Sequence, residues 1–295
     1  MKIYVNGTLI DEEKAVVSVY DHGFLYGIGL FETFRTYGGH PFLLQEHVNR
    51  LKAGCDQLGI SYKPAAEQWQ RIVQELLEVN ELGDAYIRFT VTAGRNLLGL
   101  PGGDYAEPSV IVYIKDLPAR NEQLYRLGKP LQLLRLVRNT PEGTERLKSL
   151  HYMNNILAKR ELLNYPWASN TEGLFADAKG NLAEGIVSNL FFVNKGQLFT
   201  PSLETGILPG ITRAFLMRLA AEAGMRLEEG FYTWSDLLEA DEVFITNSIQ
   251  EIVPITSLFN VEGQKVIVGN GNAGEWTTEL MRLYERHTLL LAQGG

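Results

Sequence analysis

The chain has 295 residues, 45% of them hydrophobic and 21% charged, the balance of a folded globular protein and not of a disordered one. Lys plus Arg number 27 against 35 Asp plus Glu, a formal charge of −8 without a basic block, so the footprint of a nucleic-acid or anionic-membrane binder is missing. The one cysteine, Cys55, excludes an internal disulfide framework; with no bilayer-length apolar run and no signal-peptide pattern in MKIYVNGTLIDEEK, a cytoplasmic location is expected.

A strand signal at residues 3–5 runs into Asn6-Gly7, a two-residue hairpin turn. Val16, Val17 and Val19 precede a glycine-punctuated stretch, DHGFLYGIGLFETFRTYGG, over 21–39. Leu44, Val48, Leu51, Cys55 and Leu58 then recur at steps of four and three, which predicts an amphipathic helix. Arg50 lies off that stripe, so periodicity makes it a surface residue. A second helix is predicted over 66–78, with Trp69, Ile72, Val73, Leu76 and Leu77 on one face.

Strand-like runs at 85–92 and 109–114 flank a loop rich in Gly and Pro. The polar stretch 115–123, with Pro118, reads as a linker between a small N-terminal domain, 1–118, and a larger C-terminal one, 124–295. The second half predicts a strand over 131–137, a helix over 150–164 and strands over 173–177, 185–193 and 197–200. A helix over 211–223 follows, then a strand over 242–246 and a C-terminal helix over 274–291. No internal repeat is present, and the fold class is mixed α/β.

Several chemistries lack their residues. There is no H-E-x-x-H, no Cys pair and no cluster of His, so no metal site is expected. Gly27-x-Gly29 lacks the third glycine of a dinucleotide fingerprint, and neither a Walker sequence nor G-x-S-x-G occurs.

Four segments of the second half carry candidates. In RLKSLHYMNNILAKRE, Lys148 stands where a polar turn meets an apolar-faced helix; such a lysine is either solvated or a desolvated amine nucleophile, and spacing favours the former. In GNLAEGIVSNLFFV, Glu184 begins an apolar strand and either sits at a solvent edge or faces a cationic partner. In GILPGITRAFLMRLAAEAG, Pro209-Gly210 leaves the N–H groups of Ile211 and Thr212 at a helix start, where capping and anion binding use the same chemistry. In ITNSIQEIVP, Thr246, Asn247 and Ser248 are turn formers that also suit a phosphate.

These segments, in this order, resemble the fold-type IV pyridoxal-phosphate enzymes, which include branched-chain and D-amino acid aminotransferases and 4-amino-4-deoxychorismate lyases. DHGFLYGIGLFETFR, EHVNRL, RLKSLHYMNNILAKRE, AEGIVSNLFF, GILPGITR and TNSIQEIVP carry the likeness. The resemblance implies two α/β domains with pyridoxal 5′-phosphate between them, the C-terminal one carrying the lysine, and a homodimer. It makes Lys148 the cofactor lysine and Glu184 the partner of the pyridine nitrogen. It makes Arg50, Ile211, Thr212, Asn247 and Ser248 the phosphate site; for Arg50 nothing else supports the role.

Within the family the pattern is most similar to the lyases, which implies the small-molecule substrate 4-amino-4-deoxychorismate and release of pyruvate and p-aminobenzoate. SLHYMNN lacks the G-N-Y that branched-chain aminotransferases place after the lysine. The alternatives are an aminotransferase of the same family and a binding module without catalysis. Arg35, Arg88 and Arg95 are candidates to hold the substrate's carboxylates, and Phe31 and Tyr152 to wall the cofactor.

Overall fold

In the computed structural model, which describes residues 1–293, the chain divides into two units. Among the described residues the first takes 1–119, 147–151 and 287–293; the second takes 120–146 and 152–286. Lys148 therefore folds with the first unit, whereas the sequence placed it in the domain 124–295. Backbone pairing is the reason: Ser149 bridges Leu30, the N–H of Phe31 donates to the Lys148 carbonyl at 2.9 Å, and the N–H of Leu150 donates to the Gly29 carbonyl at 3.0 Å.

The first unit contains β1 (Lys2–Val5), β2 (Thr8–Asp11), α1 (His22–Tyr26), β3 (Gly29–Tyr37), β4 (His40–Pro41), α2 (Leu44–Gln57), α3 (Ala66–Val79), β5 (Ala85–Thr92) and β6 (Ser109–Asp116). Its strands form an antiparallel sheet in the order β2-β1-β6-β5-β3-β4. The first hairpin turns on Asn6 and Gly7, both at positive φ, as a tight two-residue turn demands. Asp21 caps α1 by accepting from the Gly23 N–H, and Gly27 closes it at φ 73; a Cβ at Gly27 would lie 2.7 Å from His151 Cδ2.

Helices α2 and α3 bury their apolar stripes in one core with Phe34, Ile87, Phe89 and Val91 of the sheet. Trp69, fully buried, stacks on Phe89 with centroids 3.8 Å apart and planes 7° from parallel. The stripe of α3 is the one the spacing predicts. Burying such side chains stabilises by roughly 1.5–3 kcal/mol each.

The second unit contains α4 (Glu122–Leu127), β7 (Lys129–Leu133), α5 (Met153–Leu162), β8 (Glu172–Ala176), β9 (Leu182–Gly185), β10 (Asn189–Asn194), β11 (Gln197–Pro201) and α6 (Ile211–Glu222). It continues with β12 (Leu227–Gly230), α7 (Trp234–Leu238), β13 (Glu242–Asn247), β14 (Glu251–Phe259), β15 (Lys265–Ile267) and most of α8 (Glu275–Gln293). The strands run in the order β12-β11-β10-β13-β14-β7-β8-β9, with β15 on β14. A further pairing, Glu184 with Asn189, joins β9 to β10 and closes the path from β10 through β13, β14, β7 and β8 into a ring.

Four elements differ from the sequence reading. The strand expected over 131–137 ends at Leu133 with β7. The strand expected over 185–193 splits into β9 and β10, because the Gly185 N–H bonds back to the Ser188 carbonyl at 2.8 Å and turns the chain. The helix expected from Leu150 starts at Met153, since the backbone at Ser149 and Leu150 pairs with β3. The segment from Glu251, to which the sequence reading assigns no element, forms β14, nearly all of it buried. Among the described residues no helix is long and apolar enough to cross a membrane, and no group of three His, Cys, Asp or Glu could hold a metal.

Candidate active site

In the first unit β3 presents Glu32, 1% exposed, to the face of α2 that carries His47 and Arg50, one turn apart. Glu32 Oε1 accepts from Arg50 Nε at 2.7 Å, and Oε2 accepts from Arg50 Nη2 at 2.6 Å and lies 2.6 Å from His47 Nδ1. Burial alone would raise the Glu32 carboxyl; the Arg50 charge and the hydrogen bonds of His47 and Arg50 outweigh it and hold it at about 2. Burial pushes His47 below its ordinary value, against the pull of Glu32, with the charges of Arg50 and Lys148 adding to the depression.

Arg50 is thus not the surface residue that periodicity made it: its side chain is only 16% exposed, drawn in by Glu32. Glu32 and His47 escaped the sequence reading. Their signal was a lone carboxylate inside an apolar strand, followed by a His and an Arg three apart on one helix face.

Lys148 is half-buried, with Nζ 4.7 Å from the centroid of the Phe31 ring. Phe31 is 3% exposed, and Arg88 Cζ lies 3.6 Å from its centroid. Of the three arginines offered for substrate carboxylates, Arg88 shares Phe31 with Lys148. Arg35 lies over Tyr37, and Arg95 is exposed, its backbone bridged to Asp21. Tyr152 is the residue before α5 and belongs to the second unit.

In the second unit Glu184 is 4% exposed, which removes the solvent-edge alternative. Its Oε1 accepts from Arg138 Nε at 2.8 Å, and its Oε2 accepts from the Leu208 N–H at 3.0 Å and from Asn189 Nδ2 at 3.4 Å. Arg146 Nε lies 3.9 Å from Oε1. Burial, with Arg138 nearby, lowers Arg146 to about 10, against the pull of Glu184 and Glu142. No sequence signal marked Arg138, which follows the expected strand 131–137 as an ordinary turn residue.

Helix α6 starts at Ile211 behind Gly210, which offers no side-chain cap, so the first N–H groups lack partners within the helix. Gly210 leaves room for Asn189: a Cβ there would fall 2.0 Å from Asn189 Oδ1. Thr212 is buried, and its Oγ1 is 3.2 Å from Ser248 Oγ. The structure brings Ile211, Thr212 and Ser248 together. Asn247 differs, because its Oδ1 accepts from the N–H groups of Ile249 and Gln250 and its side chain is used to shape the turn. Thr246 buries a hydroxyl with no hydrogen-bond partner, a donor in need of an acceptor. A helix start and two facing hydroxyls fit a phosphate.

The model of the amino-transferase class IV family matches residues 29–258, and the chain belongs to that family, whose members are pyridoxal-phosphate enzymes. Among proteins of known activity it is 42% identical to the aminodeoxychorismate lyase of Bacillus subtilis (strain 168), over 99% of this chain and 97% of that one. The crystal structure of 4-amino-4-deoxychorismate lyase from Pseudomonas aeruginosa superposes with a TM-score of 0.82 at 29% identity, covering 96% of this chain and 98% of that one. The branched-chain amino acid aminotransferase from Escherichia coli gives a TM-score of 0.83 at 28% identity, covering 96% of this chain and 92% of that one.

Proposed function

We propose that the chain is a 4-amino-4-deoxychorismate lyase that uses pyridoxal 5′-phosphate, releases pyruvate and leaves p-aminobenzoate. The full-length likeness to the Bacillus subtilis lyase carries this reading. The buried Glu184, the helix start at Ile211 and the half-buried Lys148 support it.

When bound, the cofactor supplies a carbonyl for an amine and a ring that takes up electron density. Lys148 Nζ would be the amine that tethers it and, once the substrate amine has displaced it, the base that takes the proton from the substrate carbon bearing nitrogen. The same Nζ returns a proton to the methylene carbon of the departing enolpyruvyl group, completing pyruvate. Loss of the enolpyruvyl oxygen leaves an aromatic ring, so the chain need not hold a high-energy product. Glu184 accepts the hydrogen bond of the ring nitrogen. The N–H groups of Ile211 and Thr212 and the hydroxyls of Thr212 and Ser248 would bind the phosphate, a role that the family resemblance also gives to Arg50. Asn247 acts there by fixing the turn that carries Ser248.

An aminotransferase is the second reading, favoured by the close superposition on a branched-chain aminotransferase. The two differ in demand: the aminotransferase needs a 2-oxo acid for each second half-reaction, and the lyase needs none. Product analysis with and without an oxo acid therefore tests the proposal: p-aminobenzoate formed without an oxo acid supports it, and amino-group transfer to an added oxo acid with no p-aminobenzoate formed rejects it. A homodimer belongs to the same reading. Exposed Phe24, Leu97, Leu98 and Leu100 on the first unit support it as apolar surface fit for a partner, and sedimentation velocity tests it.

A further inference from the structure

Arg138, 7% exposed, is gripped at two ends of its guanidinium. Nε donates to Glu184 Oε1 at 2.8 Å, while Nη1 donates to Asn154 Oδ1 at 2.8 Å, Asn155 Oδ1 at 3.2 Å and Asn139 Oδ1 at 3.3 Å. Asn155 is fixed in turn by donating to the Ile186 carbonyl, and the Phe175 ring lies 5.2 Å from Arg138 Cζ. An ion pair that only neutralised Glu184 would not require three asparagine oxygens to aim the cation.

The contacts of Glu184 leave room for one more donor. A carboxylate offers about four acceptor positions. Oε2 receives Leu208 and Asn189 and Oε1 receives Arg138, which leaves a position on Oε1. The other charges facing this pair are Arg146, 3.9 Å from Oε1, and Glu142, which acts on Arg146. A guanidinium held rigidly against a carboxylate fixes the direction in which the carboxylate offers its remaining acceptor position. A group hydrogen-bonded to that carboxylate is then favoured in its cationic form, because the repulsion from the more distant guanidinium is weaker.

We infer that Arg138 is a positioning residue for the ring nitrogen of a pyridine cofactor: held by its three asparagines, it aims the Glu184 carboxylate at that nitrogen. The inference rests on the reading of Glu184 as the ring-nitrogen partner.

The test uses the full-length holoenzyme loaded with pyridoxal 5′-phosphate labelled with 15N in the ring, followed by 15N NMR against pH. The wild type gives the pyridinium resonance at neutral pH. Arg138→Gln moves the resonance to the neutral-pyridine position. Arg138→Lys, which restores the charge without the asparagine fork, keeps the pyridinium but lowers its deprotonation midpoint by about one pH unit, tenfold in proton affinity. A folded R138Q enzyme whose ring nitrogen titrates as in the wild type overturns the inference. Should R138Q not fold, an unmoved midpoint in R138K overturns it.

Glu184→Gln separates the two readings. A ring nitrogen that keeps its proton in E184Q removes Glu184 as the partner, and the inference with it. One that loses its proton in E184Q but not in R138Q leaves Glu184 in place and removes the part assigned to Arg138.

Discussion

Glu32 and Arg50 meet in a two-pronged ion pair, Oε1 on Nε at 2.7 Å and Oε2 on Nη2 at 2.6 Å, with the carboxylate 1% exposed. A fork of this kind fixes the guanidinium plane as well as its position. Breaking one side of a buried pair leaves an uncompensated charge. Glu32→Gln is therefore expected to lower the unfolding free energy by about 3 kcal/mol, measured by urea denaturation. A loss below about 1 kcal/mol would place the pair with ordinary surface contacts.

The same cluster sets an acid limit. Glu32 titrates at about 2 in the fold against 4.5 for an ordinary glutamate, so its contribution is present above pH 4.5 and is lost as pH falls toward 2. His47 is also depressed from 6.5, so below that pH the unfolded chain binds a proton that the folded one resists. Both signs agree: the melting temperature falls as pH drops below about 6.5. In E32Q the further fall below pH 4.5 is expected to shrink, and a wild-type melting temperature flat from pH 7 to 4 would contradict this.

Lys148→Ala is expected to fold, because the pairing of 147–151 with β3 runs through backbone groups. Turnover should drop by about a thousandfold or more, as when the group that acts directly on the reacting atoms is removed. Circular dichroism checks the fold, and product formation checks the loss. Activity within tenfold of the wild type would overturn the assignment.

Much of this is legible in the sequence, and the parts that are not share a cause. The stripes of α2 and α3 are periodic, so their buried faces follow from spacing, and the helix start at Ile211 follows from Pro209-Gly210. Glu184 could be read as a candidate but not placed, since its burial depends on a turn at 186–188 that splits an apolar run looking like one strand. Arg50, Glu32 and Arg138 are held by partners far along the chain, 18 residues for Arg50 with Glu32 and 46 for Arg138 with Glu184. Periodicity within one element carries no information about such pairs. Lys148 is tied to β3 in the same way, through neighbours that lie more than a hundred residues earlier.

Thr212 and Ser248 offer facing hydroxyls 3.2 Å apart at the start of α6. Removing either hydroxyl, as Thr212→Ala or Ser248→Ala, should weaken binding of pyridoxal 5′-phosphate about tenfold, near the value of a hydrogen bond to a charged group. Equilibrium dialysis of the cofactor measures this. Binding unchanged in both variants would take the phosphate away from this helix start.

The central claim is tested most directly by pyruvate release from 4-amino-4-deoxychorismate, using purified, cofactor-loaded protein and no added oxo acid. The account predicts many pyruvate molecules per enzyme, with p-aminobenzoate formed in equal amount. Pyruvate absent, with the cofactor still bound and amino acids converting it to its amine form, would contradict the lyase and establish an aminotransferase.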